Sequence, residues 1–282
     1  MAPKTIQTFI SDLARDQVAL EAAIMLARRE NAHLDITCLG IDFTEPAAWY
    51  TGVQAIALPI ALEDAAKSAA TQETLVRERM QNEDIRWSLS AMTSPLIGLS
   101  QLVAETARFA DLVVAARPYG AGKTVACESI VEAVLFNART SLLIVPDQLP
   151  HWLASRPKRI VLAWNDSTEA LAAARAGLDW ESRAEQVNVV VIEPHVHAAD
   201  RSDPGGRISQ MLTRHGAKVE VTVLPKTMPE VADTLLRHAK DQQVDLIIMG
   251  AYGHSRLREA IIGGATRHML ERTMLPVLLH HA

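Results

Sequence analysis

Cysteine is scarce in this 282-residue chain, with Cys38 and Cys127 the only two. Two cysteines make no disulfide framework, and neither stands in a CxxC or Cys/His zinc spacing, so a reducing cytoplasm is the expected setting. Positive charge is not in excess either. Lys plus Arg total 28 against 33 Asp plus Glu, a net charge of −5. That leaves no electrostatic footprint for bare nucleic acid, whose affinity rests on neutralised phosphates. Aromatic residues make up only 4%, and Trp49, Trp87, Trp152, Trp164 and Trp180 show no stacking interval for a single strand, which assigns them to core or interface packing. No apolar run approaches the ~18 residues of a membrane span, and Met1 to Thr5 is followed by no apolar signal region. Gly and Pro, 13 each, are too few for a fibrous or low-complexity chain. With 49% hydrophobic and 22% charged residues, what remains is a soluble globular protein with room for about two domains.

What is present is repetition. Ala110-Asp111-Leu112-Val113-Val114-Ala115 resembles Val244-Asp245-Leu246-Ile247-Ile248-Met249, and Ser141 to Val145 resembles Pro276 to His280, at offsets of 134 and 135. Both members of the first pair are short β-branched runs behind an acidic residue, the pattern of strands buried on both faces. Thr5 to Ile10 and Arg159 to Trp164 read as the first strand of each copy, and the join falls between Gln148 and Pro157.

Within each copy strands and helices alternate. The second half predicts strands at 159–164, 187–192, 218–224, 244–249 and 276–280, with helices near 168–178, 207–215, 229–241 and 264–273. The first half predicts helices at 15–29 and 61–82 and a third strand at Ile85 to Leu89. Such alternation specifies a parallel sheet covered on both faces.

Ligands of an open parallel sheet sit beyond the carboxyl ends of its strands, where strand order reverses. Directly after the strand at 244–249 come Gly250, Gly253 and Gly263, spaced Gly-x2-Gly-x9-Gly, and Gly264, Ala265 and Thr266 open a helix. Glycine lets a backbone approach a ligand closely, and the free N–H groups of a helix start suit a phosphate. Read on their own, these glycines favour a tight turn and a helix start with small residues for packing. In the first half the corresponding positions are Ala116, Tyr119 and Ser129 or Glu128, so all three glycines are gone. Gly120-Ala121-Gly122-Lys123-Thr124 invites a P-loop assignment, but Arg117 stands where that loop needs its first glycine and Pro118 lacks an N–H. It reads as a solvent loop.

The strand, glycine spacing, helix and terminal strand of the second half together resemble the universal stress protein family over nearly the whole half. The duplication resembles the family's two-domain members. The resemblance implies an α/β fold of two tandem open parallel-sheet sandwiches, five-stranded each, Rossmann-like and of the adenine nucleotide alpha hydrolase-like type. Residues 1–150 form a domain with a degenerate nucleotide loop and 151–282 a domain that keeps the loop. The resemblance further implies ATP or a related adenine nucleotide as ligand. Gly250, Gly253 and Gly263 then hold phosphates, and His254 is placed to assist. Gly264 stands where Ser or Thr is usual; its N–H remains, next to Ala265 and Thr266. Adenine would lie near Ala163 and Asn165, the latter replacing an acidic residue at the end of the first strand, and against the backbone at Ile192. Asn both donates and accepts hydrogen bonds, so it can still meet an adenine edge, while Trp164 narrows the wall.

The function so implied is a nucleotide-responsive regulatory or binding module in stress tolerance, with no catalytic and no metal-binding residue assigned. Its expected partners are a second copy in a homodimer and an unidentified protein, with neither nucleic acid nor membrane. The last strands of such domains commonly pair edge to edge, so pairing between the two halves is also implied. Two alternatives stay open: slow ATP hydrolysis at the same loop, and a scaffold without nucleotide, favoured by Gly264 and Trp164. Ser167 reads as the N-cap of the helix after the first strand. Cys127 is placed in the degenerate loop, and the histidines, including the pairs His195/His197 and His280/His281, on the surface.

Overall fold

The computed structural model describes residues 2–44, 57–193, 203–251 and 264–282. They form two compact units, Pro3–Thr140 and Ser141–Ala282.

In the first unit β1 (Thr5–Ile10) leads into α1 (Leu13–Glu30), β2 (His33–Asp42), α2 (Ala57–Met80), β3 (Arg86–Pro95), α3 (Leu96–Ala107) and β4 (Leu112–Ala116). The strands lie in the order β3-β2-β1-β4 and all run parallel. Helix α1 has a local reason both to start and to stop. Asp12 accepts a hydrogen bond from the Ala14 N–H at the start of α1, and Asn31, in the left-handed region at φ 50°, closes its end. The last helix, α4 (Val125–Glu132), runs on as a π-helical stretch over Ala133–Ala138. Cys127 therefore sits on a helix rather than in the degenerate loop expected from sequence. Without the glycines, nothing keeps this segment extended, and the helix begins at Val125. Gly120 and Gly122 do lie in an exposed turn, both at positive φ. Burial pushes the Cys38 thiol on β2 up to about 12, with Glu73 adding to the shift, which leaves it an inert core residue.

The second unit contains β5 (Ser141–Val145), β6 (Arg159–Trp164), α5 (Thr168–Glu181), β7 (Gln186–Ile192), α6 (Gly206–Arg214), β8 (Val219–Leu224), α7 (Val231–Asp241), β9 (Leu246–Gly250), α8 (Gly264–Arg272) and β10 (Val277–His280). Its strand order is β5-β10-β9-β6-β7-β8. All neighbours are parallel except β5, which pairs antiparallel with β10 through Ile144↔Val277, Leu143↔Leu278 and Leu142↔Leu279. Each half thus supplies five strands, and the last strands of the two halves pair as the family resemblance implies. Val161, Leu162, Ile247, Ile248, Leu278 and Leu279 are fully or almost fully buried at the centre of this sheet, the reason β6, β9 and β10 read as unbroken apolar runs. Among the described residues no helix is long and apolar enough to cross a membrane.

The acidic residue that precedes the matching runs has the same role in both units. Asp111 accepts hydrogen bonds from the Lys4 and Thr5 N–H groups at 2.7 and 2.9 Å. Asp245 accepts from the Lys158 and Arg159 N–H groups at 2.7 and 3.0 Å. One carboxylate thereby satisfies the two amides at the entry of each first strand. Asp245→Ala is expected to lower stability by about 2 kcal/mol, as is Asp111→Ala, because charge-assisted bonds to backbone amides are lost. Urea unfolding checks this, and a loss below about 0.5 kcal/mol would show that water replaces the carboxylate.

Candidate functional site

Strand order in the second unit reverses at β6, whose outgoing connection leads to β7 on one side while β9 lies on the other. Ala163 pairs with Val190 and with Met249, which spreads the carboxyl ends of three strands around one point. A cleft of about 200 Å³ opens there, at the position expected for a ligand. Ala163, Trp164 and Asn165 line it from β6, Ile192 from β7, Gly250 from β9, and Gly264, Ala265 and Thr266 from the first turn of α8. Seven of the residues singled out in the sequence are thus brought together: Ala163, Asn165, Ile192, Gly250, Gly264, Ala265 and Thr266. Gly253, His254 and Gly263 lie outside the described residues, as do His195 and His197.

The rest of the wall is apolar. Val190, Val231, Ala232, Leu235, Met249 and Met269 complete it, and no ionisable side chain lines it among the described residues. The sequence reading missed these six. The start of α7 after the strand at 218–224 is the one signal that could have found Val231 and Ala232, since every such helix start faces the carboxyl edge of the sheet. Beside the cleft α8 is held to the start of α7 by two polar contacts. Glu230 Oε2 lies 2.9 Å from His268 Nδ1, and Arg272 Nη1 donates to both oxygens of Asp233 at 2.6 Å.

The two described glycines of the loop motif differ in what they do. A Cβ on Gly250 would stand 2.5 Å from the Ala170 N and 2.6 Å from the Glu169 carbonyl carbon. Gly250 is therefore required by the close approach of β9 to the first turn of α5. A Cβ on Gly264 would meet nothing closer than the His268 ring at 3.7 Å, so the position that lacks the usual hydroxyl has room for one.

Asn165 is more committed than its residue type suggests. Its Oδ1 accepts from the Ser167 N–H at 3.3 Å and from the Ser167 Oγ at 2.7 Å, and Ser167 Oγ in turn accepts from the Ala170 N–H at 3.1 Å. Ser167 thus caps α5 as expected. The carbonyl of Asn165 is used in building that cap, which leaves its Nδ2 donors for a ligand rather than the full donor–acceptor edge.

The matching position in the first unit, beyond β1 and β4, is closed. Only about 20 Å³ remains between Phe9, Ser11, Asp16, Ala116, Arg117 and Lys123. Asp16 Oδ2 accepts from the Ser11 and Asp12 N–H groups at 2.9 and 3.2 Å, and Arg15 Nη2 donates to Ser11 Oγ at 2.7 Å. Asp16 and Ser11 on its wall are thus bonded to the chain's own groups.

The C-terminal histidines are not free on the surface. The His280 ring lies 3.1 Å from Ser141 Oγ across the β5–β10 pair, and His281 Nδ1 lies 2.8 Å from the Ala251 carbonyl. Burial, with His281 adding to it, lowers the pKa of His280. Antiparallel pairing of β10 with β5 covers a residue that would be exposed on an edge strand.

Residues 157–281 match the model of the Universal stress protein family. Universal stress protein Slr1230 of Synechocystis sp. is 37% identical over 73 residues, covering 26% of this chain and 24% of that protein. Universal stress protein MJ0577 of Methanocaldococcus jannaschii is 34% identical over 47 residues, covering 17% of this chain and 29% of that protein. The chain thus spans about a quarter of the length of the curated relatives it matches. A universal stress protein from Archaeoglobus fulgidus has the same fold, with a TM-score of 0.71 at 12% identity over 100% of this chain and 97% of that one. Residues 157–281 are thus similar in sequence to the Universal stress protein family, and the chain has the fold of a solved universal stress protein.

Proposed function

We propose that the second unit is a regulatory binding module that takes ATP or a related adenine nucleotide in the cleft beyond β6 and β9, acting in stress tolerance. The observation that carries this reading is the convergence of Ala163, Asn165, Ile192, Gly250, Gly264, Ala265 and Thr266, distant in sequence, on one apolar cleft at the reversal of strand order. Its volume, below the ~300–1,000 Å³ of a site for a whole ligand, suits the base end of a nucleotide. The first turn of α8 supplies N–H groups and the positive end of a helix dipole for the charged end. Ligand binding stabilises whichever arrangement of the cleft it fits better, and so biases the surface around it.

A scaffold that has lost nucleotide binding is the second reading. It is favoured by the carbonyl of Asn165, which is spent on the α5 cap, where an acceptor for the base would be needed.

Mass spectrometry of the natively purified protein and melting with ATP, AMP and buffer separate the two. The nucleotide reading expects a co-purifying nucleotide or an upward melting shift, since a ligand at 100 times its dissociation constant adds about 2.7 kcal/mol. Gly264→Ser is expected to enlarge the ATP shift, because the position accepts a side chain and a hydroxyl adds a phosphate contact. No co-purified nucleotide and no shift at millimolar ATP or AMP would leave the scaffold standing.

A further inference from the structure

Glu181, in the last turn of α5, is completely buried, and neither carboxylate oxygen has a hydrogen-bond partner. A glutamate on a helix that also carries Glu169, Arg175 and Asp179 reads in sequence as part of a solvated face, yet this one points at the sheet. The room for it comes from Gly177, one turn earlier. A Cβ there would stand 2.5 Å from Ile248 Cδ1 on β9 and 3.5 Å from the Glu181 carboxyl carbon. The carboxyl is therefore wedged between α5 and β9 with no water-facing route.

No nearby charge accounts for it. The elements packed on α5 are β6, β9, β10, α6 and the turn at His151–Ala154, whose Trp152 ring meets Trp180. Strand β9 has no ionisable side chain. Arg159 of β6 donates to the Gln242 carbonyl, His280 of β10 faces Ser141, and His151 faces Asp245. Arg207 and Arg214 of α6 make no bond to Glu181. On α5 itself, Asp179 engages Arg156 and Arg183, while Glu169 and Arg175 lie nearer the other end of the helix. Loss of hydration alone raises the carboxyl well above the usual range, because burial penalises the charged form.

The opposite end of α5 builds the cleft. Ser167 caps the helix through Asn165, and the backbone at Glu169 and Ala170 rests against Gly250. We propose that Glu181 is a proton-held latch on the cleft: the neutral acid keeps α5 seated on β9, and ionisation expels the last turn and loosens the lip formed by Asn165 to Ala170. This concerns regulation of the cleft described above and rests on the nucleotide reading only in its last arm. The direction follows from proton binding. Between the unfolded pKa of about 4.3 and the raised folded value, the native state holds a proton that the unfolded chain has released. Seating of α5 is thus complete at low pH and is lost as pH rises through the folded value.

The test is amide hydrogen exchange of the full chain from about pH 5 to about pH 9, the span over which buried carboxyls titrate, with exposure times corrected for intrinsic exchange. The unaltered protein is compared with Glu181→Gln and, should that fold poorly, Glu181→Leu. Peptides covering 174–184 and 163–170 are expected to lose protection together as pH rises towards the folded pKa, by up to about tenfold per pH unit, and to level off above it. In the variants both stay protected. Identical pH profiles in the unaltered and variant proteins overturn the latch. A response confined to 174–184 overturns its link to the cleft. In a parallel arm, the ATP melting shift is expected to shrink with rising pH in the unaltered protein and to hold in Glu181→Gln; a shift equally pH-dependent in both overturns the proposal. If ATP shifts neither protein at any pH, the nucleotide reading fails while exchange still decides the latch.

Discussion

Gly250→Ala is expected to destabilise the second unit by about 3 kcal/mol, the upper range for forcing extra atoms into a packed site. The added methyl would meet backbone atoms, the Ala170 N and the Glu169 carbonyl carbon, and backbone at a capped helix start moves only with the helix. The expected control is Gly264→Ala. Its methyl finds ordinary contact distance to His268, and replacing glycine at a helix start restrains the unfolded chain, so the change ranges from neutral to a gain of about 1 kcal/mol. Urea unfolding followed by far-ultraviolet circular dichroism measures both. A Gly250→Ala loss under about 1 kcal/mol would mean that α5 slides to accommodate it. The contrast bears on the glycine motif itself. Its first member is needed for packing whether or not a phosphate binds, so loss of nucleotide binding in a Gly250 variant says nothing of direct contact. Gly264 is the position where ligand contact and fold can be separated.

Trp152→Ala is expected to cost about 3–5 kcal/mol, the range for removing a buried large aromatic. Trp152 stands in the short turn between β5 and β6 and is 2% exposed. Its ring lies edge-on to Trp180 at 5.8 Å and 66°, and its Nε1–H donates to the Asp245 carbonyl at 2.9 Å. The variant loses ring area, an aromatic pair and a hydrogen bond, and leaves a cavity beside α5. Trp152→Phe keeps most of the ring and is expected to cost about 1–2 kcal/mol, from the unpaired carbonyl and lost volume. Equilibrium denaturation resolves the two. Equal losses would assign the whole effect to the hydrogen bond, and losses under about 1 kcal/mol in both would show the segment between the repeats to be a passive linker.

Much of the fold is readable from local pattern. β1, β5, β6 and β7 fall within about one residue of their expected bounds, because β-branched runs buried on both faces leave an unbroken apolar signature. The Ser167 cap is legible for the same reason, since one side chain satisfies an amide three residues on. The helix that carries Cys127 was not legible. The offset between the repeats transferred a loop to a segment that had lost the glycines which make it one. Of the candidate site, the residues at strand ends and at the start of α8 were accessible from the glycine spacing and the position of the first strand. The apolar wall from α7 and the strand interiors was not, because its residues share no motif and meet only through the sheet.

The sequence by itself determined that apolar runs recur at an offset of 134 to 135, that each half alternates strand and helix, and that only the second half keeps the glycines. These properties live in spacings of a few residues or in one offset between copies. The tertiary structure alone decided that the first unit's crevice is nearly closed, that the Asn165 carbonyl is spent on a helix cap, and that Glu181 is sealed against β9. Each depends on which groups meet across tens of residues, and hydration or its loss at such a meeting point is set by packing rather than by residue type.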